Sequence, residues 1–399
     1  MKTKSALWML ILLLCSLSFQ EVKSQEIVIN YDEDKIPAYE LPDPLLFNNG
    51  RKVKNAHQWT NKRRAEILEI FAQEMYGHIP ARPEGLHFKK MSEEVVYNGL
   101  GIRRVVRIYL DKEEQHWFDV LIHLPKNAKH PIPMFAGLNF KGNDATIDER
   151  ACSRWPYEQI LKEGFGVATA WRDAIEPDGK DSKVGEIENV CKDGGVRSWY
   201  NKGGDWGAIS AWAWGLSRIY DYLVTDSDVD ASKIAVIGHS RLGKTALWAG
   251  ANDTRFAMVV SNCSGCCGAS LSRRVYGENF ARINTSFPHW FTREFDKYMH
   301  KEADFPADQH WLAALSAPRP LYIASATEDL WADPKGEWLT ALNVTSVYKL
   351  FGKEGVKGIY PAPENPDMEG FVAYHVRTGK HDITAYDWAQ YISFAKRHY

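Results

Sequence analysis

After its first 24 residues the chain has no apolar run long enough to cross a bilayer, no basic tract, no internal repeat and no low-complexity stretch. The first absence leaves no candidate for a membrane span. The second, with a net charge of −2, gives no polyanion-binding signature and removes nucleic acid as an expected partner. Cysteine is also scarce. Beyond the leader the chain holds only Cys152, Cys191, Cys263, Cys266 and Cys267, an odd number that permits at most two disulfides and leaves one thiol over. Cys263-x-x-Cys266 could suggest metal or redox chemistry, but no matching His or Cys pair completes a zinc set, so a structural or disulfide role is expected.

The leader itself is informative. In "MKTKSALWMLILLLCSLSFQEVKSQ", Lys2 and Lys4 precede an apolar run from Ala6 to Phe19, and Val22-x-Ser24 offers a small-residue cleavage signal. This is the anatomy of a secretory signal peptide over residues 1–24, with large Leu14 arguing against lipidation of Cys15. Residues 25–399 then read as one exported domain, periplasmic or extracellular, expected to act as a monomer. The whole chain's 15 tryptophans, all but Trp8 beyond the leader, suit a large core or a sugar-facing surface equally well.

Residues 25–60 are polar and proline-bearing, an extended arm laid over the domain. Apolar residues at helical spacing follow in "NKRRAEILEIFAQEMYGHIP", ended by Gly77 and Pro80. "EEVVYNG", "IRRVVRIYL" and "HWFDVLIHLP" alternate as antiparallel strands do. Strands and helices then take turns: "IPMFAGLNF", "FGVATAWR", the helix "AISAWAWGLSRIYDYLV", "KIAVIGHS", the helix "GKTALWAGAN", "FAMVVSNCSG", "PRPLYIASATEDLW", and the helices "EWLTALNVTSVYKLFG" and "AYDWAQYISFAKRHY". Antiparallel strands followed by β/α units give the order of an α/β-hydrolase fold, a three-layer α/β/α sandwich around a mostly parallel twisted sheet.

The stretch "GHSRLGKT" at 238–245 matches two incompatible motifs. Gly238-x-x-x-x-Gly243-Lys244-Thr245 satisfies a phosphate-binding loop. Gly238-x-Ser240 also satisfies a nucleophile elbow, a sharp strand-to-helix turn that exposes a serine hydroxyl. A phosphate loop normally follows the first strand of its sheet and needs nucleotides, which are scarce outside the cytoplasm. Here several strands precede the motif, as for an elbow after the fifth strand of a hydrolase sheet.

A hydrolase also needs an acid and then a histidine, in that order downstream of the serine. "TEDLWADP" supplies Glu328, Asp329 and Asp333, and "VRTGKHDIT" supplies His381 in a loop just before the last helix. The imidazole takes the serine proton, and the carboxylate orients and stabilises the imidazole. His239, His289, His310 and His375 are weaker candidates, since none combines a late loop with the final helix. Asp329 is the first choice of acid because it falls a few residues beyond its strand; Glu328 and Asp333 stay open.

"GHSRLGKTA" resembles the elbow of the glucuronoyl esterases, carbohydrate esterase family fifteen. "WTNKRRAEILEIFAQEMYGHIP", "GLNFKGN", "GFGVATAWRDAIEPD", "WGAISAWAWGLSRIYDYL", "GENFARINTSFPHWF" and "DLWADPKGEW" extend the resemblance over most of the chain. It implies a serine esterase that cleaves esters between (4-O-methyl-)glucuronic acid on xylan and lignin alcohols, with no metal or organic cofactor. It further implies Ser240 as nucleophile, His381 as general base and Arg241 as oxyanion stabiliser. Lys244 and Glu278 would bind sugar hydroxyls, and Trp331 would flank the sugar. Fungal members carry the acid as Glu just after the sixth strand. Here that region reads "SNCSGCCG", with Cys263 or Ser264 where Glu would stand, so the acid is expected after the seventh strand, as in many bacterial members. An acetyl xylan esterase, or a silent carbohydrate-binding relative, are the competing readings.

Overall fold

The computed structural model describes residues 26–128, 131–147, 154–179, 194–200 and 202–399. The expected signal peptide, Cys152 and Cys191 lie outside the described residues.

Nine strands form one sheet: β1 (His87–Val96), β2 (Gly101–Tyr109), β3 (Trp117–Pro125), β4 (Ile132–Asn139), β5 (Gly166–Trp171), β6 (Val229–His239), β7 (Met258–Asn262), β8 (Leu321–Ala326) and β9 (Val372–Arg377). Their spatial order is β1-β2-β3-β5-β4-β6-β7-β8-β9. β1, β2 and β3 form an antiparallel meander, as their alternating sequences lead one to expect, and β3 joins β5 antiparallel. From β5 through β9 every pairing is parallel. The strand added at the antiparallel edge shifts the count by one, so the elbow follows β6 and the candidate acids follow β8. The sequence reading has no strand at β9. "VAYHVR" is buried on both faces, so it lacks the alternation that marks a half-exposed strand.

Helices cover both faces. α1 (Arg64–Phe71) is flanked by π-helical turns at Trp59–Arg63 and Ala72–Tyr76, and together they make the long helical stretch expected there. One face of the sheet packs against α3 (Ala208–Leu223), α4 (Arg241–Asn252) and α5 (Pro334–Lys349), burying Trp212, Trp214 and Trp248. The other packs against α2 (Tyr157–Lys162) and α6 (Ala385–His398), with Trp155 and Trp388 between the rings of Phe135, Tyr157 and Tyr391. Most of the tryptophan therefore fills the core. The result is the expected three-layer sandwich. Among the described residues no helix is long and apolar enough to cross a membrane.

The N-terminal arm runs over the α5 side of the domain. Val28 and Pro42 accept hydrogen bonds through their carbonyls from Asn279 (2.9 Å) and Trp311 (2.9 Å), and Glu33 pairs with Arg274 (2.7 Å) and Lys335 (2.8 Å).

Candidate active site

β6 ends at His239 and α4 begins at Arg241, so Ser240 alone makes the turn. Its backbone sits at φ 58°, ψ −129°, a conformation that costs an L-residue about 1–3 kcal/mol. Gly238 makes the turn possible, because a Cβ there would lie 1.8 Å from the Leu242 carbonyl oxygen. Gly243, displaced by one position from the commoner elbow pattern, lets α4 lie against the loop after β7: its Cβ would stand 2.9 Å from that of Ser264. Ser240 N–H donates to the Asn262 carbonyl at 2.9 Å, which ties the turn to β7. The glycines thus serve a strand-to-helix elbow, not a phosphate cradle.

Loops from β8 and β9 bring two of the candidate residues, Asp329 and His381, together. Nδ1 of His381 lies 2.5 Å from Oδ2 of Asp329. Asp329 is buried; His381 is exposed and lines the cavity over the elbow. The two loops are knit by backbone bonds from Thr327 to Arg377 (2.9 Å) and from Glu328 to Gly379 (2.9 Å). Arg377 clasps the histidine loop by donating to the carbonyls of Lys380 (2.7 Å) and Asp382 (2.7 Å), and is itself held by Asp387 of α6 (2.9 Å).

The other acids are placed elsewhere. Glu328 is exposed. Asp333 is buried and caps α5, accepting from Gly336 N–H (2.9 Å), Arg274 Nε (2.8 Å) and Ser270 Oγ (3.2 Å), so its oxygens are engaged away from His381. Among the histidines, His375 is fully buried between Asp387 (2.8 Å) and Tyr322 (2.9 Å). His310 bonds the Pro42 carbonyl at 3.0 Å, and His239 bonds Asn262 at 2.6 Å.

A cavity of about 360 Å³ opens over the elbow, and Ser240, Arg241, Lys244, Glu278, Trp331 and His381 all line it. Lys244 lies one helical turn beyond Ser240 and is buried. Its ammonium donates to the Ser264 carbonyl at 2.5 Å and stands 3.9 Å from Glu278. Burial pushes the Glu278 carboxyl up, against the pull of Lys244 and the Trp331 indole. Trp331 is 38% exposed at the rim, while Trp290 and Phe287 form a stacked aromatic wall, 4.0 Å between centroids.

Three residues here were missed in the sequence. Asp178 pairs with Arg241. Trp290 lies under the same guanidinium at 4.6 Å. Glu337 is fully buried beneath the loop after β7, accepting from the N–H groups of Ser264 (2.7 Å) and Gly265 (2.9 Å) and from Ser325 Oγ (2.5 Å). Burial pushes its carboxyl up to about 8. All three lie within stretches that carried the family resemblance, but an isolated Glu or Asp there reads as solvated.

Cys263, Asp329 and His381 are the group among the described residues whose atoms could meet at a metal, within 4.8 Å of one another. Burial, then the neighbouring Glu337 and Asp329, push the Cys263 thiol well up, which makes it a poor ligand. Cys263, Cys266 and Cys267 are free and buried, so the disulfide alternative is not realised among these three.

Residues 110–352 match the family described as glucuronyl esterase, fungi. A carbohydrate esterase of an unknown prokaryotic organism is 44% identical over 95% of this chain and 94% of its own length. A structure of a glucuronoyl esterase from Solibacter usitatus is 42% identical, with a TM-score of 0.85 over 92% of this chain and 100% of that one. A promiscuous esterase of carbohydrate esterase family 15 from a marine bacterial metagenome is 44% identical, with a TM-score of 0.84 over 93% of this chain and 100% of the other. A serine on a strained elbow, an Asp329–His381 pair at the same cavity, and matches that run over nearly the whole chain lead to one assignment: the chain belongs to the glucuronoyl esterase family.

Proposed function

We propose that the protein hydrolyses esters of (4-O-methyl-)D-glucuronic acid, such as those linking glucuronoxylan to lignin alcohols, through an acyl-enzyme on Ser240. The observation that carries this reading is the lining of a single cavity by Ser240, the cations Arg241 and Lys244, and His381, which is paired with buried Asp329 behind it. Nε2 of His381 takes the Ser240 proton as Oγ attacks the ester carbonyl, and Asp329 stabilises the imidazolium that forms. The oxyanion is met by the Arg241 N–H at the start of α4 and by its guanidinium. His381 then returns the proton to the departing alcohol. Water, activated by the same imidazole, releases the uronic acid from Ser240. Lys244 and Glu278 hold the sugar hydroxyls and Trp331 flanks the ring. This chemistry calls for no metal or organic cofactor.

A small acetyl group has no use for Lys244 and Glu278, buried on the sugar side of the cavity. The promiscuity of the metagenomic relative nonetheless supports some turnover of simpler esters as a second activity. Residues 1–24 serve as a signal peptide, and residues 25–399 act as one monomeric catalytic domain in the periplasm or outside the cell.

The test is hydrolysis of benzyl glucuronate by the mature chain, beside Ser240→Ala and an acetyl ester. Cleavage of the glucuronate ester that disappears in Ser240→Ala is expected. Cleavage of the acetyl ester alone would sink the uronate roles of Lys244 and Glu278.

A further inference from the structure

Asp178 follows β5 and its side chain is only 2% exposed, yet it belongs to none of the groups just given a chemical role. Its carboxylate gathers four side chains from three separate segments. Oδ2 pairs with Arg172 (2.9 Å) and with Arg241; Oδ1 accepts from His289 Nε2 (3.0 Å) and Trp290 Nε1 (2.7 Å). Burial alone would push this carboxyl up. His289, Arg172, Arg241 and Trp290 outweigh burial and hold it well below the usual carboxylate range, so it carries its charge wherever the enzyme works.

With both oxygens occupied, Asp178 has little left to offer a substrate. Its effect must pass through what it holds. Arg241 lies over the faces of Phe287 (5.0 Å) and Trp290 (4.6 Å), and Asp178 receives one guanidinium nitrogen from the side. Asp178 also fixes the indole of Trp290, the ring on which the guanidinium rests. Without these restraints a long, 26% exposed arginine would sample many rotamers. It would also meet the charge of Arg172, which shares the same carboxylate oxygen. An oxyanion group lowers a barrier in proportion to how well it is fixed before the charge develops.

We infer that Asp178 is a positioning residue of this esterase, which fixes the Arg241 guanidinium, directly and through Trp290, in the place where the oxyanion forms. The inference rests on the oxyanion role proposed above for Arg241.

The experiment is a double-mutant cycle on the full mature chain with Asp178→Asn, Arg241→Ala and the pair, read as kcat and KM on benzyl glucuronate and on a small acetyl ester. Asp178→Asn keeps size and an acceptor for His289 and Trp290, so it serves where Asp178→Ala fails to fold. Asp178→Asn is expected to lower kcat by about 10- to 100-fold on both esters, with KM changed by less than about threefold. In the Arg241→Ala background it should remove nothing more. The same fractional loss in both backgrounds, or an unchanged kcat in Asp178→Asn, overturns the inference. An independent readout is the order parameter of the Arg241 Nε–H bond by NMR, which should fall in Asp178→Asn; an unchanged value also overturns it. If the wild type cleaves only the acetyl ester, the substrate reading fails while the cycle is still read on that ester. If Arg241→Ala is silent on every ester, the oxyanion role fails and this inference falls with it.

Discussion

Oδ2 of Asp329 and Nδ1 of His381, 52 residues apart in the chain, stand 2.5 Å apart at the edge of the cavity. In the proposed mechanism this pairing leaves Nε2 as the ring nitrogen for proton transfer. Asp329→Asn should therefore lower kcat by about 10³- to 10⁴-fold with the fold intact, since the amide favours the wrong tautomer. Glu328→Gln should leave kcat unchanged. Asp333→Asn should show its main effect in melting temperature, because Arg274 and the start of α5 lose their anion. Steady-state kinetics and thermal melts of the three variants separate these outcomes, and a kcat collapse in Asp333→Asn with Asp329→Asn active would reverse the assignment.

Lys244 and Glu278 face the sugar rather than the reacting carbonyl in the proposed complex. Lys244→Met should raise KM for benzyl glucuronate by about 10- to 100-fold, the weight of a hydrogen bond from a charged donor. An acetyl ester should be cleaved with its KM nearly unchanged. Equal damage to both substrates would mean that Lys244 supports the elbow through Ser264 instead.

The strain at Ser240 gives a stability test. Glycine adopts positive φ without a Cβ penalty, so Ser240→Gly should be more stable than Ser240→Ala by about 1 kcal/mol, with both expected to be inactive. Denaturant melts of the two decide it, and a less stable glycine variant would mean that the turn is not strained.

Glu337 links stability to pH. Its carboxyl is pushed up to about 8 in the folded chain from an ordinary 4.5, so the folded state binds the extra proton between those values. Its contribution is complete below about 4.5 and is lost as pH rises through about 8. Glu337→Gln should flatten that part of the decline in melting temperature across pH 5 to 8. An unchanged slope would show that Glu337 ionises normally.

The elbow, the late histidine and the alternating first strands were legible because each is a local pattern. "GHSRLGKT" between an apolar strand and a helix needs only neighbouring residues to be read. β9 was not legible, since a strand buried on both faces carries no alternation. Asp178 was hidden for another reason. Its partner Arg241 lies 63 residues away, and nothing local tells a carboxylate that it will meet two arginines, a histidine and an indole. The choice among Glu328, Asp329 and Asp333 depended on loop geometry: a cap residue at positive φ and an exposed neighbour look the same in sequence as the carboxylate that turns inward.

The N-terminal arm has a consequence for the order of assembly. Val28 receives Asn279 across 251 residues, and Glu33 receives Arg274 across 241, both beside the cavity residue Glu278. Contacts of such long sequence separation close late, after the sheet that carries them has formed. The arm is thus expected to be among the last segments to find its seat, and the Arg274–Asn279 stretch beside Glu278 to reach its final form only when that strap has docked.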